Sequence, residues 1–152
     1  MREIFCKELR NRVQEIRIIE KMGKTDGAYQ ISEKGKMLLD TIYIIEELSE
    51  ISRKHGLLEL EKRVCEIYSI PGERYLKQLI YYVVCGSDPE LLMELAELRY
   101  YSASFSDYNA LQYLIMVKGV IEIQKGTNPI VIRELLFSML PEEFCDPEII
   151  KP

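Results

Sequence analysis

The chain has 152 residues, of which 47% are hydrophobic and 30% are charged. This length and composition predict one globular domain with a core of its own, and they exclude wholesale disorder. The net charge of −5 and the pI near 5.1 speak against a general nucleic-acid-binding protein, because that class usually presents a basic face.

The first part of the chain predicts a basic amphipathic helix and a hinge. Over residues 2–22, apolar side chains recur every three or four positions, which is the helical period. Residues 23–28 are rich in glycine and polar residues and predict a turn. The segment at 29–35 is either a short strand or the approach to the next helix, and Ser32 gives no clear helix cap. We therefore treat residues 1–35 as a basic N-terminal helix with its hinge.

Two further helices are predicted to meet at Gly56. The apolar pattern is helical from about 36 to 54, and it resumes over 57–67. Basic residues in the last turn before Gly56 suit the negative end of the helix dipole. Gly56 itself is a natural left-handed stop.

Prolines, glycines and capping residues mark four more helices. The helix at 73–84 is so apolar that we expect it to be buried on more than one side. A fifth helix follows, capped by Ser87 or Asp88. The sixth helix is predicted at about 108–125, capped by Ser106 or Asp107. The seventh begins at Asn128-Pro129 and stops at Pro141.

These patterns predict an all-α fold, a compact helical domain of about six to seven helices. Its main body is expected at 36–141, and an acidic, loose tail at 142–152. No apolar run approaches the ~20 residues that a membrane-spanning helix needs. Residues 1–21 are charged throughout and do not read as a secretory leader.

The sequence contains no recognisable catalytic or metal-binding motif. The four cysteines are far apart, which predicts a reduced cytoplasmic protein with buried thiols rather than a disulfide framework. A zinc site is not expected, because His55 is the one histidine. We therefore predict a protein that is not an enzyme, with no catalytic residue, no cofactor and no metal.

Three stretches together resemble a known family. They are L-S-E-I-S-R-K-H-G-L-L-E-L-E at 48–61, G-S-D-P-E-L-L at 86–92, and the segment at 110–141, which contains I-Q-K-G-T-N-P. In this order they resemble the cytoplasmic parts of the MotA-type flagellar motor stator subunit, a proton- or sodium-channel protein. That family carries two membrane helices before the first segment and two more before the last. Here those helices are absent, so the resemblance does not imply ion conduction.

The resemblance implies a partner-binding site. In the family, an arginine and a glutamate eight residues later face the rotor's switch protein, and the matching residues here are Arg53 and Glu61. Exposed charges of opposite sign suit a transient contact. The alternative is that Arg53 only complements a helix end and that Glu61 is only solvated. The partner would be a rotor switch protein or a stator component, and a homo-oligomer is also open.

Two other functions stay open at this point. A pocket lined by Tyr81, Tyr82 and Met116 would indicate a helical domain that binds a small ligand or has an unrecognised enzyme activity. Tyrosine pairs are also common at binding surfaces, because the side chain combines apolar area with a polar group. A nucleic-acid regulator that uses the basic first helix is the third hypothesis, although the acidic composition predicts no nucleic acid.

Overall fold

A computed structural model of the chain describes residues 3–22 and 32–145. Within these two ranges the chain forms seven α-helices and one short 3-10 helix, without any strand. The helices are α1 (Glu3–Met22), α2 (Glu33–His55), α3 (Leu57–Cys65), α4 (Glu73–Val84), α5 (Pro89–Ala103), α6 (Asp107–Lys125) and α7 (Pro129–Phe137), and the 3-10 turn is Glu142–Cys145. The predicted all-α fold is confirmed.

Helix α6 is the centre of the fold. Of its 19 residues, 14 are buried, and it packs against α1, α2, α4, α5 and α7. Helix α3 lies outside this arrangement, against α2 and α4. A helix buried around most of its circumference needs apolar residues on nearly every side, and the almost uninterrupted apolar run at 110–117 meets that need. Neither α6 nor any other helix of the described ranges is long and apolar enough to cross a membrane.

Helix α4 has the predicted boundaries but not the predicted burial. Its buried residues, Leu76, Leu79, Ile80 and Val83, share one face at helical spacing. Tyr81 is 57% exposed. The expectation that α4 is buried on more than one side is therefore wrong, because α6 takes the central position.

Helix α1 belongs to the same core as the other helices. Phe5 and Ile16 are fully buried in that core. The Phe5 ring meets Tyr100 of α5 edge-on, with ring centroids 5.7 Å apart. Two turns further along α1, Arg12 Nε donates a hydrogen bond of 3.1 Å to the Tyr100 hydroxyl. Apolar and polar contacts thus both hold α1 against the bundle.

Ser32 links the end of α1 to the start of α2. Its Oγ accepts a hydrogen bond of 3.1 Å from the Gly35 backbone N–H and so caps α2, which corrects the expectation of no clear cap. The same hydroxyl donates to the Glu20 carboxylate at 2.6 Å, and the Tyr108 hydroxyl also donates to that carboxylate. The cap was missed because the usual reciprocal glutamate three residues later is replaced by glycine.

Part of the predicted connection between α1 and α2 lies outside the described residues. This applies to the hinge at 23–28 and to the first residues of the possible strand at 29–35. The last three residues of that segment form the first turn of α2. Where the segment is described, the approach to a helix is therefore the correct alternative.

The predicted loose tail at 142–152 is packed where it is described. Its first four residues form the turn Glu142–Cys145, and Phe144 is 1% exposed. Arg17 of α1 forms an ion pair with Glu143, with 3.3 Å between Nε and the carboxylate. The prediction of a loose tail is wrong for these residues, because Phe144 joins the core, and residues 146–152 lie outside the described ranges.

The prediction of buried thiols is wrong for Cys6, Cys65 and Cys85, all of which are exposed. Cys65 is the last residue of α3, and Cys85 is the C-cap of α4. Both follow the apolar pattern of their helix, but a helix end projects beyond the packed part of its neighbours. Apolar periodicity alone does not show that difference.

Candidate protein-binding surface

Three of the interhelical connections gather at one end of the bundle. Gln124 Nε2, near the end of α6, donates a hydrogen bond of 2.7 Å to the backbone oxygen of Ser87, between α4 and α5. The end of α2 shares a cleft with Asn128 and Pro129, where α7 begins. The three sequence stretches of the family resemblance are therefore brought together in space.

Local hydrogen bonds hold these connections. Asp88 caps α5 by accepting from the Leu91 N–H at 2.8 Å, and Asn128 caps α7 by accepting from the Ile130 N–H at 2.9 Å. Both predicted caps are confirmed. Ser106 occupies the N-cap position of α6, but its side chain makes no capping hydrogen bond.

Arg53 lies in the last turn of α2, where it is exposed. With Glu50 and Lys54 it lines one side of a shallow cleft of about 370 Å³, whose other side is Asn128, Pro129 and Ile130. Gly56 ends the helix with a φ of 86° and donates its N–H to the Ser52 oxygen at 3.0 Å. The positive φ favours glycine, but the ψ of −176° differs from that of the left-handed helical stop that was predicted.

Glu61 lies on α3 and is half-buried. Its carboxylate is close to Tyr81 of α4. The pKa of the Tyr81 phenol is raised, chiefly by its hydrogen bond with the Cys85 side chain and also by the negative charge of Glu61. Arg53 thus lies beside α7, while Glu61 lies beside α4.

The surface around Arg53 also carries exposed apolar side chains. At the start of α3, Leu57 is 46% and Leu58 is 75% exposed, and at the start of α7, Ile130 is 60% and Val131 is 48% exposed. We call the following set the junction surface: Arg53, Lys54, His55, Leu57, Leu58, Ile130 and Val131. Leu57 and Leu58 adjoin the basic residues along the chain, and Ile130 lies across the cleft from Arg53 and Lys54. Exposed apolar side chains beside basic ones are typical of a protein contact site.

The sequence indicates a contact surface around residues 53–61, but the exposure of the apolar side chains there was not predicted, although a signal exists for Leu58. In α3, Leu60 and Val64 are buried and define the inner face. Leu58 stands two positions before Leu60, a spacing that places it on a different side of a helix. An amphipathic helix therefore leaves Leu58 outside the core, and its exposure could have been predicted.

The α6–α7 connection below this surface is held by Glu122, which is 5% exposed. Its carboxylate accepts hydrogen bonds from Thr127 Oγ1 at 2.6 Å and from Lys118 Nζ at 2.9 Å. Burial alone would raise the pKa of Glu122, but these two hydrogen bonds and the neighbouring lysine charges outweigh it, and the pKa is lowered.

Glu122→Gln should therefore destabilise the protein in a pH-dependent way. A carboxylate with a lowered pKa stabilises the fold fully above its unfolded value, near 4.5, and this contribution is lost as the pH falls through the folded pKa. We expect a loss of about 1 kcal/mol at pH 7 that shrinks below the unfolded value. Urea unfolding from pH 3 to 7 measures it, with the exposed Glu142→Gln as control. A loss that is constant with pH would contradict the assignment.

The tyrosine pairs of the sequence do not form one exposed surface. In the pair Tyr100-Tyr101, Tyr100 is 4% exposed, whereas Tyr101 is 51% exposed. Met116 lines a cleft, but its aromatic neighbours there are Tyr75, Phe105 and Tyr113 rather than Tyr81 and Tyr82. In the part of the chain that the structure describes, no three His, Cys, Asp or Glu side chains are placed to hold a metal ion.

The chain was also compared with known proteins. No protein-family model matches it, and no curated protein or solved structure matches it either. The likeness to the MotA-type stator family stays a prediction that rests on the residues quoted above.

Proposed function

We propose that this chain is a non-enzymatic protein-interaction module that binds a protein partner through the junction surface. One observation carries the proposal: the exposed Leu57 and Leu58 follow directly on the three basic residues that end α2, and the exposed Ile130 lies across the cleft from Arg53 and Lys54. The basic side chains would steer the partner, and burial of the leucines would supply most of the affinity.

The partner follows from the same chemistry. Basic residues beside leucines favour a partner segment that presents apolar side chains and carboxylates. The family resemblance adds a rotor switch protein or a stator component as the specific partner, in the cytoplasm and without ion-channel activity. Association with a second copy of the chain is the alternative partner.

Leu58→Glu should weaken partner binding by at least about tenfold, because it places a carboxylate where apolar area would be buried. The matched control is Leu98→Glu, since Leu98 is a leucine of similar exposure, at 63%, on α5. Binding of a purified flagellar rotor switch protein, measured by biolayer interferometry, gives the affinity. Sedimentation velocity of the chain alone measures self-association in the same variants.

The double variant Arg53→Ala with Glu61→Lys tests the charged residues that the resemblance assigns. We expect slower association at low salt and unchanged helical circular dichroism, because both residues have solvent-accessible side chains.

Equal losses of affinity for Leu58→Glu and Leu98→Glu, or no effect of either on any association, would remove the junction surface from consideration. Loss of self-association without rotor binding would assign the surface to a second copy.

A further inference from the structure

A second cleft, on a different part of the molecule, has the features of a small-molecule site. It lies between the start of α4, the segment that joins α5 to α6, and one side of α6, and its volume is about 360 Å³. That volume is in the range of sites for small organic ligands, roughly 300–1,000 Å³. We propose that this cleft binds a small planar ring compound that carries an N–H donor and an anionic group. It shares no lining residue with the junction surface, so this inference does not rest on the proposed function.

Gln112 of α6 supplies the hydrogen-bond acceptor. It is 4% exposed, and its Nε2 donates to Thr41 Oγ1 at 3.1 Å and to the Pro71 backbone oxygen at 2.8 Å. These two bonds fix the direction of the amide. Oε1 then faces Gly72 at the edge of the cleft, where a Cβ atom on Gly72 would lie 3.0 Å away.

Oε1 thus lies at the wall of the cleft, where it can accept a hydrogen bond. A ligand N–H at this position would donate to it. The ligand is therefore expected to present a donor, not an acceptor, to Gln112.

Three aromatic side chains form the apolar wall of the cleft. The rings of Phe105 and Tyr113 are stacked with centroids 4.7 Å apart and an interplanar angle of 24°. Tyr75 meets Phe105 edge-on at 4.8 Å and Tyr113 edge-on at 5.8 Å. A wall made of fixed aromatic rings favours a flat ligand, because stacked and edge-on contacts both require a planar partner.

The charge of the cleft favours an anion. Arg74 is the one charged residue that lines it, in a protein whose net charge is −5. Its guanidinium lies 4.7 Å from the Tyr75 ring centre and donates to the Tyr75 hydroxyl at 2.7 Å, which holds it at the mouth.

The start of α4 adds to this preference. Its N-cap is Gly72, which lines the cleft and makes no side-chain capping hydrogen bond, so the positive end of the helix dipole lies at this side of the cleft. Glu73, the first residue of α4, does not line the cleft. Acceptor, aromatic wall and positive charge thus converge on one space.

The probe for a test is 1-anilinonaphthalene-8-sulfonate, which combines fused planar rings, an N–H donor and a sulfonate. Titration of the full-length chain, followed by probe fluorescence, should give saturable binding of one molecule. Arg74→Glu should weaken binding by at least about tenfold, since it replaces the cation with a like charge. Asn109→Trp, which fills the cleft from an exposed position, should abolish it. The control, Lys36→Glu, reverses an exposed charge outside the cleft and should change the affinity less than about twofold.

Matched probes separate the three recognition features without a risk to folding. N-phenyl-1-naphthylamine keeps the rings and the N–H but lacks the sulfonate, so its binding should be weaker and insensitive to Arg74→Glu. Naphthalene-1-sulfonate lacks the N–H and should also bind more weakly, because it cannot donate a hydrogen bond to Gln112 Oε1. Non-saturable binding, or equal affinities in Arg74→Glu, Asn109→Trp and Lys36→Glu, would overturn the proposal.

Discussion

Phe5→Ala should lower the free energy of unfolding by about 3–5 kcal/mol, the usual cost of removing a fully buried phenylalanine. Phe5 has no exposed surface, and its ring packs edge-on against Tyr100. The deletion leaves a cavity between α1 and α5 that the edges of Tyr100 cannot fill. Urea unfolding, followed by circular dichroism, measures the loss.

Ile18→Ala is the matched control for this experiment. Ile18 lies on the same helix but is 59% exposed, so its truncation should change stability by no more than about 0.5 kcal/mol. The comparison also tests the division of the chain at residue 35. If residues 1–35 formed a separate segment, Phe5→Ala would leave the main unfolding transition unchanged, and the assignment of α1 to the common core would be wrong.

Helix boundaries were largely predictable from the sequence, because they are set by local chemistry. Pro71-Gly72 before α4 and Asn128-Pro129 before α7 restrict the backbone at their own positions, whatever the rest of the chain does. Both boundaries lie where they were predicted. The cap at Ser32 is the exception, and it depends in part on Glu20 and Tyr108, which belong to other helices.

Relative burial was not predictable, because it depends on which helices become neighbours. Helices α4 and α6 are both rich in apolar residues and tyrosine, yet Tyr113 is 2% exposed and Tyr81 is 57% exposed. In α4 the spacing of the apolar stripe leaves Tyr81 off the buried face, whereas the apolar residues of α6 occur on nearly every side, so only the neighbours show how deeply α6 is buried. The difference arises because α6 is surrounded by five other helices.

For the candidate site, the positions of residues along their helices were predictable from the sequence, but their spatial neighbours were not. The positions of Arg53 and Glu61 on their helices follow from local pattern. Their neighbours, α7 for Arg53 and α4 for Glu61, are long-range contacts that periodicity does not contain. The aromatic cleft at the start of α4 is of the same kind, because it combines residues from three separate parts of the chain.

Gly119→Ala should destabilise the protein by about 1–3 kcal/mol, against the usual preference of helices for alanine. Gly119 lies inside α6, where alanine would ordinarily stabilise the helix by about 1 kcal/mol. Here a Cβ atom would lie 2.6 Å from Ile45 Cγ2 and 3.4 Å from Leu136 Cδ1. Because the first distance is shorter than real contacts allow, α2 and α6 would have to move apart.

The sign of this effect distinguishes close packing from ordinary helix propensity. Ile45→Ala removes the atoms that the new methyl group would strike, so the double variant Ile45→Ala with Gly119→Ala should lose less stability than the two single losses combined. We expect a coupling of about 1 kcal/mol or more from a double-mutant cycle in urea. A stabilising Gly119→Ala, or additive losses, would contradict the contact between α2 and α6 at this point. That contact matters for the site as well, because α2 carries Arg53 and α6 leads directly into α7. A change in their spacing should therefore also weaken binding at the junction surface.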